Sequence, residues 1–92
     1  LPNVVMEALA CGTPCVAFAV GGLPDMIDHQ DNGYLARPYD VEDLVQGIKW
    51  VLEGKDRLNS LSRNARVKIR GNFGIQDISL RSADLYNEIL MP

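Results

Sequence analysis

Six apolar residues in a row, Cys-Val-Ala-Phe-Ala-Val at positions 15–20, stand between Gly-Thr-Pro and Gly-Gly. No other feature restricts the fold of this chain as much. A run this short, rich in β-branched and aromatic residues and bounded by breakers, fits a strand buried on both faces, as in a parallel sheet. Such a strand needs helices on either side of it in sequence. The chain supplies them. "PNVVMEALAC" at 2–11 reads as a helix, with Pro2 suited to the first turn and Gly12 to the left-handed position after the end. Thr13-Pro14 stops its continuation.

After Gly21-Gly22, "LPDMIDH" reads as a short helix and "QDNG" at 30–33 as a turn. "YLA" is a second short strand, and Asp40 is placed to cap the next helix. From Val41 the period is helical, with Val41, Leu44, Val45, Ile48 and Leu52 on the expected buried face. Another helix is expected over 56–69, burying Leu58, Leu61, Ala65 and Ile69, until "GNFG" at 71–74 breaks it. A last helix is expected over 76–90. Strands alternating with helices imply right-handed parallel crossovers and an α/β fold. Two short strands make a poor sheet on their own, so the chain reads as one part of a larger parallel-sheet domain.

Composition narrows the function. The 92 residues are 47% apolar and 23% charged, with a formal net charge of −3. That balance speaks against a nucleic-acid footprint, which would be basic. Only the stretch from Arg63 to Arg70 is locally basic. A solvated face explains it, and a peripheral membrane contact is the sharper alternative. No apolar run approaches the ~20 residues of a membrane span. Cys11 and Cys15 with the single His29 are too few for a structural zinc set, and both thiols are expected to be free. His29 is expected to be solvated in its turn, and Trp50 lies off the apolar stripe of its helix.

One residue in the first helix resists its surroundings. Asn3, Glu7 and Cys11 share one stripe of a helix that is otherwise Val, Met, Ala and Leu. Two readings stand. The stripe faces solvent, or it faces a cleft where Glu7 accepts hydrogen bonds from ligand hydroxyls. A buried carboxylate without such partners costs several kcal/mol. The start of a helix also offers backbone N–H groups and the positive end of a dipole to an anion. An anion at residues 3–5 with hydroxyls near Glu7 describes a phosphorylated sugar, such as a nucleotide.

The stretch "LPNVVMEALACGTPCVAFAVGGLPDMIDHQDNGYLARPYDVEDL" closely resembles the C-terminal, donor-binding domain of the group 1, or family 4, retaining glycosyltransferases of GT-B fold. The likeness is strongest over 1–45 and continues to "NFGIQDISLRSADLYNEIL". It implies a Rossmann-like parallel-sheet domain of which residues 1–92 are a partial copy, the upstream strands and the N-terminal domain lying outside the chain. Glu7 matches the second glutamate of the family's Glu-x7-Glu motif, which holds the ribose hydroxyls of the nucleotide sugar. The first glutamate would stand before Leu1. The amides at Asn3 and Val4 match the diphosphate contacts, and the Gly21-Gly22 loop lies beside the donor cleft. Pro2 stands where some members have Gly and removes one N–H.

The resemblance further implies transfer of a sugar from a nucleoside diphosphate to an acceptor hydroxyl with retention. The acceptor is a glycan, a lipid or a small molecule. No metal and no other cofactor is expected, and no residue of this chain is assigned a catalytic role. The fragment is therefore expected to be inert alone, and to self-associate through open apolar surface. The expected location is cytoplasmic, with room for contact at the inner face of the membrane. Two other readings remain open from the residues: a non-catalytic α/β interaction domain, and a sugar-nucleotide epimerase of GT-B shape. A dinucleotide-binding dehydrogenase piece is disfavoured, because no G-x-G-x-x-G follows a strand.

Overall fold

The computed structural model describes residues 3–73. The helix expected over 76–90 lies outside the described residues. The elements run α1 Asn3–Ala10, β1 Cys15–Phe18, α2 Leu23–Met26, β2 Gly33–Ala36, α3 Val41–Leu52 and α4 Lys55–Phe73. β1 and β2 pair in parallel, Cys15 opposite Gly33 through Phe18 opposite Ala36. α2 provides the crossover between them, so β1–α2–β2 is the parallel unit that the alternation of elements required.

The core lies between α1, α2 and α4 on one side of the sheet. Met6, Leu9, Met26, Ile27, Ala65 and Ile69 are each fully enclosed, and Cys15, Ala17 and Leu35 of the strands pack against them. β1 departs from expectation. All four of its residues are half-buried rather than sealed on both faces, because β2 is its only partner among the described residues.

α3 begins where Asp40 predicts. The Asp40 side chain accepts a hydrogen bond from the Asp43 N–H at 3.1 Å, satisfying one of the amides left over at a helix start. Its buried face, however, is not the predicted one. Gly47 and Val51 are buried, whereas Val41, Val45, Ile48 and Leu52 are exposed. Gly47 is the reason. Its missing side chain lets α3 approach so closely that a Cβ there would lie 2.3 Å from the Tyr34 ring of β2. The helix therefore rests on its glycine rather than on its β-branched stripe.

α4 buries Leu61, Ala65 and Ile69 as expected, while Leu58 stays 38% exposed. Gly71 does not end it; the helix continues through Phe73. A single glycine lowers helix propensity by ~1 kcal/mol but does not impose a stop. The basic stretch of α4 is also less uniform than a solvated face. Lys68 pairs with Asp28 at 3.2 Å, and Arg66 donates to the Ser62 hydroxyl at 3.0 Å.

The turn before β2 is held from within by Asn32, which is fully buried. Its amide donates to the Met26 carbonyl at 3.0 Å, and its oxygen accepts from the Asp28 N–H at 2.8 Å. α4 adds a second tie, from the Asn64 amide to the Asp31 carbonyl at 2.9 Å.

Candidate ligand site at the start of helix α1

α1 ends in a tight reversal. The Gly12 N–H donates to the Leu9 carbonyl and the Thr13 N–H to the Ala8 carbonyl, both at 2.9 Å. Gly12 takes a φ of +82°, a conformation glycine adopts without the Cβ penalty. β1 then runs back along the helix. Val5 in the first turn of α1 and Leu23 just beyond β1 accordingly pack on the same core cluster. The start of α1 and the Gly21-Gly22 turn thus share the edge of the sheet where the strands end, the edge at which open α/β sheets hold ligands.

Glu7 lies on α1 one turn in from that edge. Its side chain is only 5% exposed, and no hydrogen bond or ion pair reaches it from the described residues. Its oxygens are not sealed, since every fully enclosed side-chain oxygen or nitrogen among the described residues has a partner. The stripe of three is therefore not uniform: Asn3 and Cys11 are exposed and Glu7 is not. Val4 is 63% exposed. The first turn of α1 carries no acidic side chain of its own, so the helix itself places no carboxylate against its amide end. Gly21 is exposed with a φ of +57°, and Gly22 caps α2 without a side-chain bond. Asp25 sits in the first turn of α2, as expected of a residue charging a helix start.

A second polar cluster lies on the far side of the sheet. The Tyr34 hydroxyl donates to Asp43 Oδ1 at 2.6 Å and the Arg37 N–H to Asp43 Oδ2 at 2.7 Å. These bonds, the one from Tyr34 first, hold the Asp43 carboxyl below the usual carboxylate range. The same bond is the largest cause of the raised Tyr34 hydroxyl. Every acceptor here is answered within the protein, so the cluster fastens α3 to β2. His29 is equally structural. It is exposed as expected, but its Nδ1 accepts the Leu35 N–H at 3.1 Å and its ring meets Tyr34 edge-on at 4.5 Å. Trp50 packs on neighbours, 6.0 Å from the Tyr34 ring with the Arg57 guanidinium 4.5 Å above it.

Both cysteines are free. Burial pushes the Cys15 thiol up, away from the thiolate that metal binding needs. No group of three or more candidate metal ligands occurs among the described residues. No helix among them is long and apolar enough to cross a membrane. The cluster around Tyr34 and Asp43, and the clamp at Asn32, were missed in the sequence. Only "DNG", an Asx-type turn signal, hinted at the latter.

A parallel β1–α2–β2 unit with helices packed on its sheet is the architecture of open α/β proteins, in which ligands are held at strand ends. Residues 1–68 match the family described as Glycosyl transferases group 1, and the chain belongs to that family. It is 30% identical over 87 residues to the N-acetyl-alpha-D-glucosaminyl L-malate synthase of Bacillus anthracis, covering 95% of this chain and 23% of that protein. It is 43% identical over 87 residues to a D-inositol 3-phosphate glycosyltransferase of Saccharomonospora viridis, covering 95% of this chain and 20% of the relative. Its fold matches sucrose-phosphate synthase from Thermosynechococcus elongatus with a TM-score of 0.76 at 32% identity, over 98% of this chain and 23% of the other. It matches Anabaena Alr3699/HepE, solved in complex with UDP and glucose, with a TM-score of 0.75 at 26% identity, over 96% and 24%. The fold is thus α/β of the GT-B type, and the chain spans about a quarter of the length of these relatives.

Proposed function

We propose that this chain supplies part of the donor-nucleotide site of a glycosyltransferase. Glu7 accepts the ribose hydroxyls, and the amides at Asn3 and Val4 face the diphosphate. Gly21 and Gly22 border the same cleft without a side chain to narrow it. The observation that carries the reading is that Glu7 is 5% exposed with no side-chain partner among the described residues. Hydroxyl donors from a ligand would bond this carboxylate at its remaining open face, and charged groups gain the most from such bonds. The family and the UDP complex of a neighbour of the same fold support it.

In the whole enzyme the sugar moves from the nucleoside diphosphate to a hydroxyl of a glycan, lipid or small-molecule acceptor, with retention at the anomeric carbon. The bond from that carbon to the diphosphate oxygen breaks, and negative charge grows on the leaving group. Fixed amide dipoles aimed at that charge stabilise it without reorganisation, which is what the start of α1 would contribute. Acceptor groups and the remaining donor contacts belong to other parts of such an enzyme, so this chain binds but does not turn over. We place it in the cytoplasm, where nucleotide sugars are used, with no nucleic acid, metal or cofactor among its partners.

The test is a ¹⁵N-resolved NMR titration of the chain with UDP, GDP and ADP. Shifts concentrated at residues 3–8 and 20–23 are expected for one of the three. Glu7→Gln keeps the shape and removes the charge, and should weaken that binding by at least about tenfold, or 1.4 kcal/mol. Equal binding by Glu7→Gln, or shifts confined to other elements, refutes the assignment.

A further inference from the structure

The turn clamped by Asn32 carries a second chemistry. Of the six asparagines in the chain, only Asn32 is followed by glycine. In an Asn-Gly pair the glycine nitrogen can attack the side-chain carbonyl carbon, because no Cβ on the second residue obstructs the approach. Neither residue is free to change here. Asn32 donates to the Met26 carbonyl at 3.0 Å and accepts from the Asp28 N–H at 2.8 Å, and a carboxylate in its place could only accept. A Cβ on Gly33 would lie 2.4 Å from the Cys15 carbonyl oxygen and 3.1 Å from Ile27 Cγ2. The packing of β1, α2 and β2 therefore imposes a self-reactive pair, with its asparagine fully buried.

We infer that Asn32–Gly33 is a self-modification site that the fold holds closed, and that its reaction makes a transient opening of this turn permanent. The step balances with solvent alone. The Gly33 N–H gives its proton to solvent base, and the nitrogen bonds to Asn32 Cγ. The Cγ–Nδ2 bond breaks, and that nitrogen takes up a proton and leaves as ammonia. Water then opens the resulting cyclic imide at either carbonyl, which leaves aspartate or isoaspartate at position 32.

In the folded chain each requirement is blocked. Asn32 is 0% exposed and Gly33 is buried, which keeps base and water from the reacting atoms. Gly33 is paired opposite Cys15, and closing the imide turns its peptide out of that pairing. Both ends of the Asn32 amide must also release their partners. The reaction thus proceeds from the opened turn, at the rate of the unfolded chain multiplied by the fraction open. Its products do not close again. Aspartate sets a buried acceptor against the Met26 carbonyl with no hydrogen between them, which costs more than the bond that is lost. Isoaspartate adds a carbon to the main chain and shifts β2 from its register. Either product unties the turn from the end of α2, where Met26 and Ile27 belong to the core.

The test incubates the full chain, folded and in guanidinium chloride, at one temperature and one mildly alkaline pH, and reads its peptides by mass spectrometry. In the denaturant Asn32 should convert to acid faster than any other asparagine. In the folded chain it should convert at least about tenfold more slowly than in the denaturant. Equal rates overturn protection by the fold, and another asparagine reacting first in the denaturant overturns the site. Asn32→Asp places one of the two products directly, and should lower the urea midpoint or abolish the transition. A midpoint at or above that of the parent overturns the permanence of the opening.

Discussion

Replacing Gly47 with Ala sets two effects against each other. Helix propensity alone favours the change, because Ala exceeds Gly by ~1 kcal/mol in a helix interior. The position is inside α3, so the full gain would apply if the space were open. It is not. The added Cβ would stand 2.3 Å from Tyr34 Cδ1 and 2.8 Å from both Cε1 and Cγ. Cγ is the root of the ring, so a small rotation of the far end cannot clear it. The ring is also fixed at its tip by the 2.6 Å bond to Asp43 and flanked by Trp50 and His29. α3 must lift off the sheet or Tyr34 must leave its rotamer. Overpacking of this kind costs ~1–3 kcal/mol, and displacement of the hydroxyl from Asp43 adds to it. The net expectation is destabilisation by about 1–2 kcal/mol, a fall of roughly 5–15 °C in Tm for a domain of this size. Thermal and urea unfolding followed at 222 nm read it directly. Gly47→Ala with Tyr34→Leu should recover part of the loss, because the ring is the obstacle. A Gly47→Ala variant that is more stable than the parent would refute the close approach of α3 to β2.

Acid should release the Tyr34–Asp43 fastening. The Asp43 carboxyl titrates below its ordinary value when folded, so its contribution is fully present above ~4 and is lost as pH falls through the lowered value. The Tyr34 hydroxyl is raised, so its contribution is present below ~10 and is lost as pH rises through the raised value. Urea midpoints measured from pH 2 to 7 should show a fall at the acid end that Asp43→Asn flattens, and absorbance at 295 nm should show one late-titrating tyrosine. Tyr39 offers the opposite sign. It holds a φ of +62° while 78% exposed, and its ring lies 5.8 Å from that of Phe18. Tyr39→Gly should stabilise the chain by about 1 kcal/mol by relieving that backbone, and an unchanged or lower urea midpoint would count against it.

The sequence was informative where a signal had one meaning. Asp40 before an apolar period was placed to cap the helix, and the cap is there. The six-residue run between breakers fitted a short strand, which forms over Cys15–Phe18, and its parallel pairing followed from the helix between the two strands. The reading failed where several apolar positions competed for one face. Val41, Val45, Ile48 and Leu52 have the period of a buried stripe, and nothing in that period shows that Gly47, with no side chain, is the point of contact. Gly71 misled in the reverse sense, because a glycine permits a helix end without requiring one. At the site, Glu7 stood out as an acid among apolar neighbours. Its burial to 5% exposure is a tertiary property, which no local pattern encodes. The Tyr34–Asp43 pair was invisible for the same reason, since its partners belong to different elements.

The packing of α1 against α4 also governs the order of assembly. α1 has eight residues, fewer than the ~12–15 at which a lone helix becomes even marginal in water. Its buried face, Met6 and Leu9, is completed by Ala65 and Ile69 from the other end of the described chain. That contact closes a loop of roughly 60 residues, whose entropy must be lost before the contact returns anything. Local pieces such as α3 and the α3–α4 junction can form early, but Met6 and Leu9 reach their enclosed positions only when the loop shuts.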